Sequence, residues 1–172
     1  MDFQIRKAVP GEEKQVIHVN IQTWKTAYKG IVDQPFLDDL SEDGEKRLAG
    51  IRRDIAAEKV YVAATGGEIV GIAIYGAARG GKYAGCGELY ALYVLDACQR
   101  SGIGGQLVNT VENDLARKGY REMIIGCLSE NPSCGFYGKM GGRLTEENTR
   151  MIGGRDYRES IYRYELSAPQ KV

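Results

Sequence analysis

Val94-Leu-Asp-Ala-Cys-Gln-Arg-Ser-Gly-Ile-Gly-Gly-Gln-Leu107 is the stretch that decides the fold of this chain. It overlaps Leu89–Leu95, an uninterrupted apolar run that predicts a central strand covered on both faces. It leads at once into a predicted amphipathic helix, which ends at Lys118-Gly119 and has apolar positions at Leu107, Val108, Val111 and Leu115. A buried strand that enters a helix through a glycine-rich turn is typical of a layered α/β domain.

The glycines of this turn favour a binding site for a diphosphate. Glycine lets the backbone approach a ligand closely, and the first amides of a helix are unpaired and point outward. Together with the helix dipole, these amides attract an anion. The alternative is an ordinary strand–helix loop that needs glycine only for its positive φ angles. The spacing alone leaves both interpretations open.

Two better-known phosphate motifs do not fit the chain. A dinucleotide fingerprint requires a third glycine where Leu107 stands, and it belongs to the first strand–helix unit. The segment Gly76–Lys82 matches GxxxxGK, but Tyr83 replaces the Ser or Thr that would hold Mg²⁺. That segment also leads into a glycine-rich loop and not into a helix. We therefore expect neither motif to be functional.

Composition indicates a globular protein without a strongly charged partner. Of the 172 residues, 43% are apolar and 27% are charged, and 23 basic side chains balance 23 acidic ones. This balance predicts no nucleic-acid partner and no membrane partner. The N-terminus has no apolar segment of a secretory signal, and the longest apolar run is far shorter than the roughly 20 residues of a membrane span. The four cysteines form no CxxC pair and accompany one histidine, so we expect no metal site. We expect the cysteines to be free thiols, as in a protein of the cytoplasm.

The order of the predicted elements also indicates an α/β fold. Residues 1–172 contain no linker, repeat or low-complexity tract, so we expect one domain. Helices are predicted from Pro10 and from about Ser41 to Glu58, and Gly66-Gly67 predicts a hairpin turn. The predicted strands are Phe3–Lys7, Val60–Ala64, Ile69–Tyr75, Leu89–Leu95, Met123–Cys127, Arg143–Ile152 and Glu159–Leu166, with a short helix at Pro132–Met140.

With these elements in place, the chain resembles the GCN5-related N-acetyltransferase (GNAT) superfamily. Gln99–Gly104 meets its signature Q/R-x-x-G-x-G/A, and Leu92–Val94 precedes that signature at the usual interval. Asn131–Gly142 resembles a later block of the family, and Trp24–Gly30 resembles a bacterial branch that acts on small amines or peptides. The resemblance implies three layers, with helices flanking a twisted, mixed and mostly antiparallel sheet whose central strands splay apart.

The resemblance implies acetyl-CoA as co-substrate and no metal. In the family the amides of the glycine turn, here Arg100–Gly105, hold the pyrophosphate, and the pantetheine arm pairs with the strand backbone around Tyr93. The implied acetyl-CoA-binding residues are Leu92, Tyr93, Val94, Gln99, Arg100, Ser101, Gly102, Ile103, Gly104, Gly105, Asn131 and Tyr137.

Glu88 is the candidate general base for direct attack by an amine in a ternary complex. It precedes Val94 by the interval at which histone acetyltransferases of the superfamily carry their base, and the family implies that the Val94 amide stabilises the thioester oxygen. Strict alternation places Glu88, Tyr90, Leu92 and Val94 on one face of the strand. The alternatives are a solvated Glu88 with no catalytic role, and a base at Tyr90 or Glu159.

Tyr137 matches the family tyrosine that donates a proton to the departing thiolate, and the alternative is a buried aromatic residue beside Phe136. The family asparagine usually stands seven residues before this tyrosine, where this chain has Glu130. Asn131 is one residue nearer and caps the short helix in the alternative interpretation. A cysteine nucleophile at Cys134 is not expected, because His18 lies on the first helix and has no reason to approach it.

Acceptor specificity is expected in the first two helices and the connection between them, as in relatives, and the candidate substrate-binding residues are Trp24, Tyr28, Glu88 and Tyr90. Six acidic residues between Asp33 and Glu45 suggest that a small cationic amine or a lysine-bearing peptide is attracted there. The alternative is a solvated run of acids at a helix start. A non-catalytic acyl-CoA-binding protein also stays open as the function, and a homodimer as the oligomeric state.

Overall fold

A seven-stranded sheet runs through residues 2–168, which are the residues that this computed structural model describes. The strand order is β1-β2-β3-β4-β5-β7-β6, and every neighbouring pair is antiparallel except β4 and β5. The predicted mixed, mostly antiparallel sheet is therefore confirmed. The strands are β1 Gln4–Lys7, β2 Val60–Thr65, β3 Glu68–Ala77, β4 Gly87–Val94, β5 Glu122–Leu128, β6 Arg143–Ile152 and β7 Arg155–Glu165.

Helices cover both faces of the sheet and complete the predicted three layers. On one face α4 buries Leu107 and Leu115 against Leu89 and Met123. On the other face α1 and α3 pack against β2 and β3, and a smaller apolar cluster lies around Leu37 of α2. The helices are α1 Glu13–Ala27, α2 Gln34–Asp38, α3 Glu45–Ala56, α4 Ile103–Arg117 and α5 Cys134–Lys139, with short 3-10 turns at Gly81–Tyr83 and Asp96–Cys98.

Two predicted boundaries differ from the structure by four residues. The helix expected from about Ser41 begins only at Glu45, because Gly44 is extended and serves as its N-cap. The last strand begins four residues before the expected Glu159, since Gly153-Gly154 forms a tight turn with positive φ that pairs β6 with β7 directly. The sequence analysis did not anticipate the short helix α2.

β4 and β5 separate almost as soon as they pair. Their parallel ladder consists of Gly87 with Met123 and Glu88 with Ile124, and beyond these pairs the two strands diverge. β5 continues on its other side with β7, from Glu122 to Leu128. The predicted splay of the central strands is confirmed, and it opens a gap in the middle of the sheet.

A β-bulge in β4 changes which side chains share a face. Ile74 pairs with Ala91 and Tyr75 pairs with Leu89, so Tyr90 is an extra residue without a partner on β3. Tyr90, Ala91 and Tyr93 consequently pack towards α1 and α3, whereas Leu92 and Val94 pack towards α4. The alternation expected from the sequence, with Glu88, Tyr90, Leu92 and Val94 on one face, is wrong for this reason.

The close approach of α4 to β4 depends on Gly87. A Cβ atom at this position would lie 2.6 Å from Cδ1 of Leu115, whose side chain is fully buried. We expect Gly87→Ala to lower the free energy of unfolding by about 1–3 kcal/mol, because the packed core cannot shift freely. Gly81→Ala is the matched control, since nothing lies within 4 Å of its Cβ position. Urea unfolding measures both variants, and equal losses would contradict this packing.

Candidate active site

The gap between β4 and β5 opens into a cavity of about 520 Å³. Most of the residues that the sequence analysis selected line this cavity, although they come from α1, β4, the glycine turn and the region of α5. They are Tyr28, Tyr90, Leu92, Tyr93, Val94, Gln99, Arg100, Gly102, Gly104, Gly105, Asn131 and Tyr137.

The backbone of β4 presents hydrogen-bonding groups to this cavity. The Leu95 amide donates to the Val70 carbonyl at 2.9 Å, and Val94 lies opposite Gly71. In an antiparallel ladder the bonding direction alternates, so the amide and carbonyl groups of Leu92 and Val94 point away from β3 and towards β5. Gln99 Nε2 donates to the Val94 carbonyl at 3.1 Å, which leaves the Val94 amide facing the cavity.

The glycine turn aims the N-terminus of α4 at the same cavity. Gly102 is the N-cap residue with φ of 87°, and Arg100 has φ of 60°, so the turn is left-handed at two positions. Ser101 Oγ donates to the Cys98 carbonyl at 2.5 Å, and Ile103 is 1% exposed in the core. These two predicted site residues fix the turn and lie outside the described lining of the cavity. The amides that begin α4 form an anion-binding arrangement.

Tyr137 closes the cavity from α5. Its side chain is buried, and its carbonyl accepts a hydrogen bond of 2.8 Å from the Tyr164 hydroxyl, which ties α5 to β7. Burial, and then the neighbouring Cys127 and Tyr93, raise the pKa of Tyr137 well above its usual value of 10. The phenol therefore keeps its proton at neutral pH and is a hydrogen-bond donor only towards groups that enter the cavity.

Asn131 has a local structural role and also borders the cavity. It is buried, and its Oδ1 accepts a hydrogen bond of 2.9 Å from the Ser133 amide at the start of α5. This bond closes the turn before α5, whose N-cap residue is Ser133 and has no side-chain cap. One face of the Asn131 side chain still lines the cavity.

The Glu88 carboxylate forms an ion pair with Arg79. Its carboxylate accepts hydrogen bonds from the Arg79 amide at 2.9 Å and from the Arg79 guanidinium at 2.8 Å. Its side chain is 14% exposed, and Glu88 is absent from the described linings of this cavity and of the one beside it.

A second cavity of about 300 Å³ lies on the α1 and α3 side of the sheet. Trp24 is in its wall and donates from Nε1 to the Tyr93 hydroxyl at 2.9 Å. The two cavities share Tyr90, Ala91, Tyr93 and Arg150, so they meet at the splayed strand. The remaining lining of the second cavity is Asn20, Phe36, Leu40, Arg47, Asp54, Ile74 and Arg79.

The acidic side chains before α3 line neither cavity, although Phe36 and Leu40 of the same segment line the second one. Asp33 pairs with Arg155 at 2.7 Å, Asp38 accepts from Gln34, and Glu42 is bound by Gln22 and by His18. Within residues 2–168, none of the six acids belongs to either lining. The charged side chains of the second cavity are mainly arginines, which the sequence analysis missed because isolated arginines carry no motif.

Cys127 and Cys134 lie side by side near Tyr137, with 2.9 Å between their Sγ atoms. Burial, followed by the neighbouring Cys134, raises the pKa of the Cys127 thiol, so this group is protonated and a poor nucleophile. His18 pairs with Glu42 and is not near either thiol within the described part of the chain. Residues 2–168 bring together no metal-binding group of His, Cys, Asp and Glu, and none of their helices has the length and apolar character to cross a membrane.

A comparison with protein families assigns the chain to a family. The acetyltransferase (GNAT) family matches residues 23–142, which contain the end of α1, the splayed strands, the glycine turn and α5. The chain belongs to the acetyltransferase (GNAT) family. The resemblance found from the sequence is thereby confirmed, and with it the enzyme class, an N-acetyltransferase.

Individual members of the GNAT family agree with this assignment over nearly the whole chain. An uncharacterised N-acetyltransferase of Bacillus subtilis, YuaI, is 29% identical, covering 88% of this chain and 87% of its own. The PaiA N-acetyltransferase of Thermoplasma acidophilum, solved with coenzyme A, superposes with a TM-score of 0.78 at 20% identity, over 96% of this chain and 99% of its own. YncA of Salmonella typhimurium, solved with acetyl-CoA, gives 0.74 at 21% identity and 99% coverage of both chains.

The burial of Tyr137 predicts a loss of stability at alkaline pH. The folded state raises the pKa of this phenol, whereas in the unfolded chain it ionises near pH 10, so the stabilisation is complete below about pH 9 and is lost as pH rises beyond 10. Tyr137→Phe removes this phenol. The free energy of unfolding should then fall less steeply with rising pH, by up to about 1.4 kcal/mol per pH unit. Urea unfolding between pH 8 and 11 measures this, and identical slopes would contradict the burial of the phenol.

Proposed function

We propose that this protein transfers an acetyl group from acetyl-CoA to a primary amine by direct attack in a ternary complex. The observation that carries the proposal is the meeting of two cavities at β4, where they share Tyr90, Ala91 and Tyr93. One cavity has room for a thioester donor and the other for an amine, so both can be bound at once. No covalent intermediate on the enzyme is then required.

The residues of the larger cavity fit acetyl-CoA. The amides at the start of α4 would hold the pyrophosphate, since they are unpaired within the helix and lie at its positive end. The backbone groups of Leu92 and Val94 would pair with the amides of the pantetheine arm as a strand does. Gly104 leaves room for this approach, because the nearest atom to its Cβ position is a ring carbon of Phe136 at 3.4 Å.

The Val94 amide would stabilise the thioester oxygen as charge develops on it. A backbone amide is held in place by the sheet, so it need not reorganise during the reaction. Acetyl-CoA supplies an activated acyl group with a thiolate as leaving group. Tyr137 would donate a hydrogen bond to that thiolate, since its buried phenol stays protonated.

The amine must lose a proton before it attacks. With a pKa of about 10.4, only about 0.1% of a primary amine is neutral near pH 7.4, so a base accelerates the reaction. We assign this role to Glu88 acting through a bridging water, since its carboxylate lies behind the cavity and is paired with Arg79. Glu159 is the alternative base, because its Oε1 would lie 2.5 Å from a Cβ on Gly126, which lines the larger cavity.

A non-catalytic acyl-CoA-binding protein is the second candidate, and the ion pair between Glu88 and Arg79 is the observation that favours it. Acetylation of any amine at a rate above the uncatalysed reaction would exclude it. The single domain, the cytoplasmic location and the homodimer stay predictions.

Binding of acetyl-CoA is tested at Gly104. We expect Gly104→Val to weaken the binding of acetyl-CoA at least tenfold, because the side chain blocks the approach to the first amides of α4. Gly81→Val is the control outside both cavities. Calorimetric titration with acetyl-CoA, and in parallel with ATP and NAD, measures the effect. Tighter binding of either nucleotide would overturn the proposal.

The base is tested by the pH dependence of turnover. We expect Glu88→Gln to lower kcat about 10²-fold at pH 7, with recovery at higher pH as the amine loses its proton unaided. Glu159→Gln is the matched variant, since it makes the same change at a carboxylate that is also paired with an arginine. A larger loss of kcat in Glu159→Gln than in Glu88→Gln would identify Glu159 as the base. No loss in either variant would show that this reaction proceeds without a carboxylate base.

A further inference from the structure

Three arginines from distant parts of the chain converge on the second cavity. Arg47 comes from α3, Arg79 follows β3, and Arg150 comes from β6. The described lining contains one carboxylate, that of Asp54. A cavity built to bind a cationic amine would show the opposite balance, with carboxylates in the majority.

Two of these arginines are held in place by carboxylates that stand behind the lining. Arg79 pairs with Glu88 at 2.8 Å, and Arg150 pairs with Glu159 at 3.2 Å. The guanidinium of Arg79 also lies over the Tyr90 ring, 4.2 Å from its centroid. Because a guanidinium has five N–H donors, a single carboxylate leaves several of them for a ligand. The ion pairs therefore orient the donors while cancelling much of their net charge.

Arg47 supplies the charge that is not cancelled. Its Nη1 donates to Asn20 Oδ1 at 3.3 Å, a neutral amide, and no carboxylate among residues 2–168 forms an ion pair with it. Arg47 and Asp54 are seven residues apart on α3, which is two helical turns, so both project from one side of the helix into the cavity.

We propose that the acceptor is a small primary amine that also carries a carboxylate, and that Arg47, Arg79 and Arg150 select it. The inference rests on the proposed function and names the substrate class of the same site. The planar fork of a guanidinium matches a carboxylate through two parallel hydrogen bonds. Trp24, Phe36 and Ile74 give the cavity apolar walls for the carbon chain between the two groups. Arg47 and Arg79 line only the second cavity, so they would hold the anion away from the junction that Arg150 shares, while the amine faces the larger cavity and the Val94 amide.

The experiment compares amines that differ at one end only. The five-carbon series is 5-aminovalerate, pentylamine and 1,5-diaminopentane, whose far ends are anionic, neutral and cationic. Shorter ω-amino acids and α-amino acids are added as further amines that carry a carboxylate. Aminoalkylphosphonates of equal length separate carboxylates from other oxyanions. We measure kcat/KM with acetyl-CoA for each, together with calorimetric binding to the enzyme–CoA complex, so that a poorly reactive amine still gives a result.

Two variants of α3 assign the preference to the cavity. Arg47→Gln should lower kcat/KM for the best carboxylate amine at least tenfold, through KM, and leave acetyl-CoA binding unchanged. Arg47→Glu should shift the preference towards the diamine. Arg53→Gln removes the same charge from an exposed position of the same helix outside both cavities, and should leave the kinetics unchanged.

The inference predicts at least a tenfold preference for a carboxylate amine over both pentylamine and the diamine. The inference would be overturned if kcat/KM for either of the other two amines equalled or exceeded that for the carboxylate amines. Equal effects of Arg47→Gln and Arg53→Gln would also overturn it, as would a failure of every carboxylate amine to bind the CoA complex. A preference for the phosphonates would overturn the assignment of a carboxylate. Absence of acetyl-CoA binding would instead overturn the proposed function, and it is detected before any amine is added.

Discussion

The divergence of β4 from β5 is the constraint on which the site depends. In a continuous sheet the amide and carbonyl groups of Leu92 and Val94 would bond to β5, but the ladder ends at Glu88 and Ile124. A backbone polar group that is buried without a partner costs about 1–3 kcal/mol, so such an opening persists where water or a ligand supplies the missing bonds. The N-terminus of α4 opens into the same cavity. The edge of β4, the N-terminus of α4 and the Tyr137 phenol therefore all border the larger cavity.

The bulge at Tyr90 determines which side chains of β4 share a face. By adding a residue to β4, it directs Tyr90 and Tyr93 towards α1 and α3, and leaves Leu92 and Val94 towards α4. The two cavities meet at β4, where they share Tyr90, Ala91 and Tyr93. Glu88 and Glu159 are each paired with an arginine that lines the second cavity.

The sequence predicted the parts of the site that depend on local backbone geometry. Glycine at positions 102, 104 and 105 and the apolar run of β4 have few alternative uses, and the structure places both at the cavity. Alternation failed at Glu88 and Tyr90 because a bulge depends on pairing with β3, which no local pattern of β4 reveals. The position of the acidic run relative to the cavities could not be predicted, since it is set by tertiary packing, and its attraction for a cationic acceptor stays a prediction. Arg47, Arg79 and Arg150 were missed for the same reason, because residues so far apart in sequence converge only in the fold.

Amide hydrogen exchange of β4, measured with and without saturating acetyl-CoA, tests the central claim most directly, because that claim concerns backbone groups. If the gap between β4 and β5 is the acetyl-CoA site, exchange slows at the amides of Leu92 and Val94 and over residues 100–105, and ATP does not reproduce the effect. Unchanged exchange at these amides in the presence of saturating acetyl-CoA, with protection elsewhere in the chain, would contradict it.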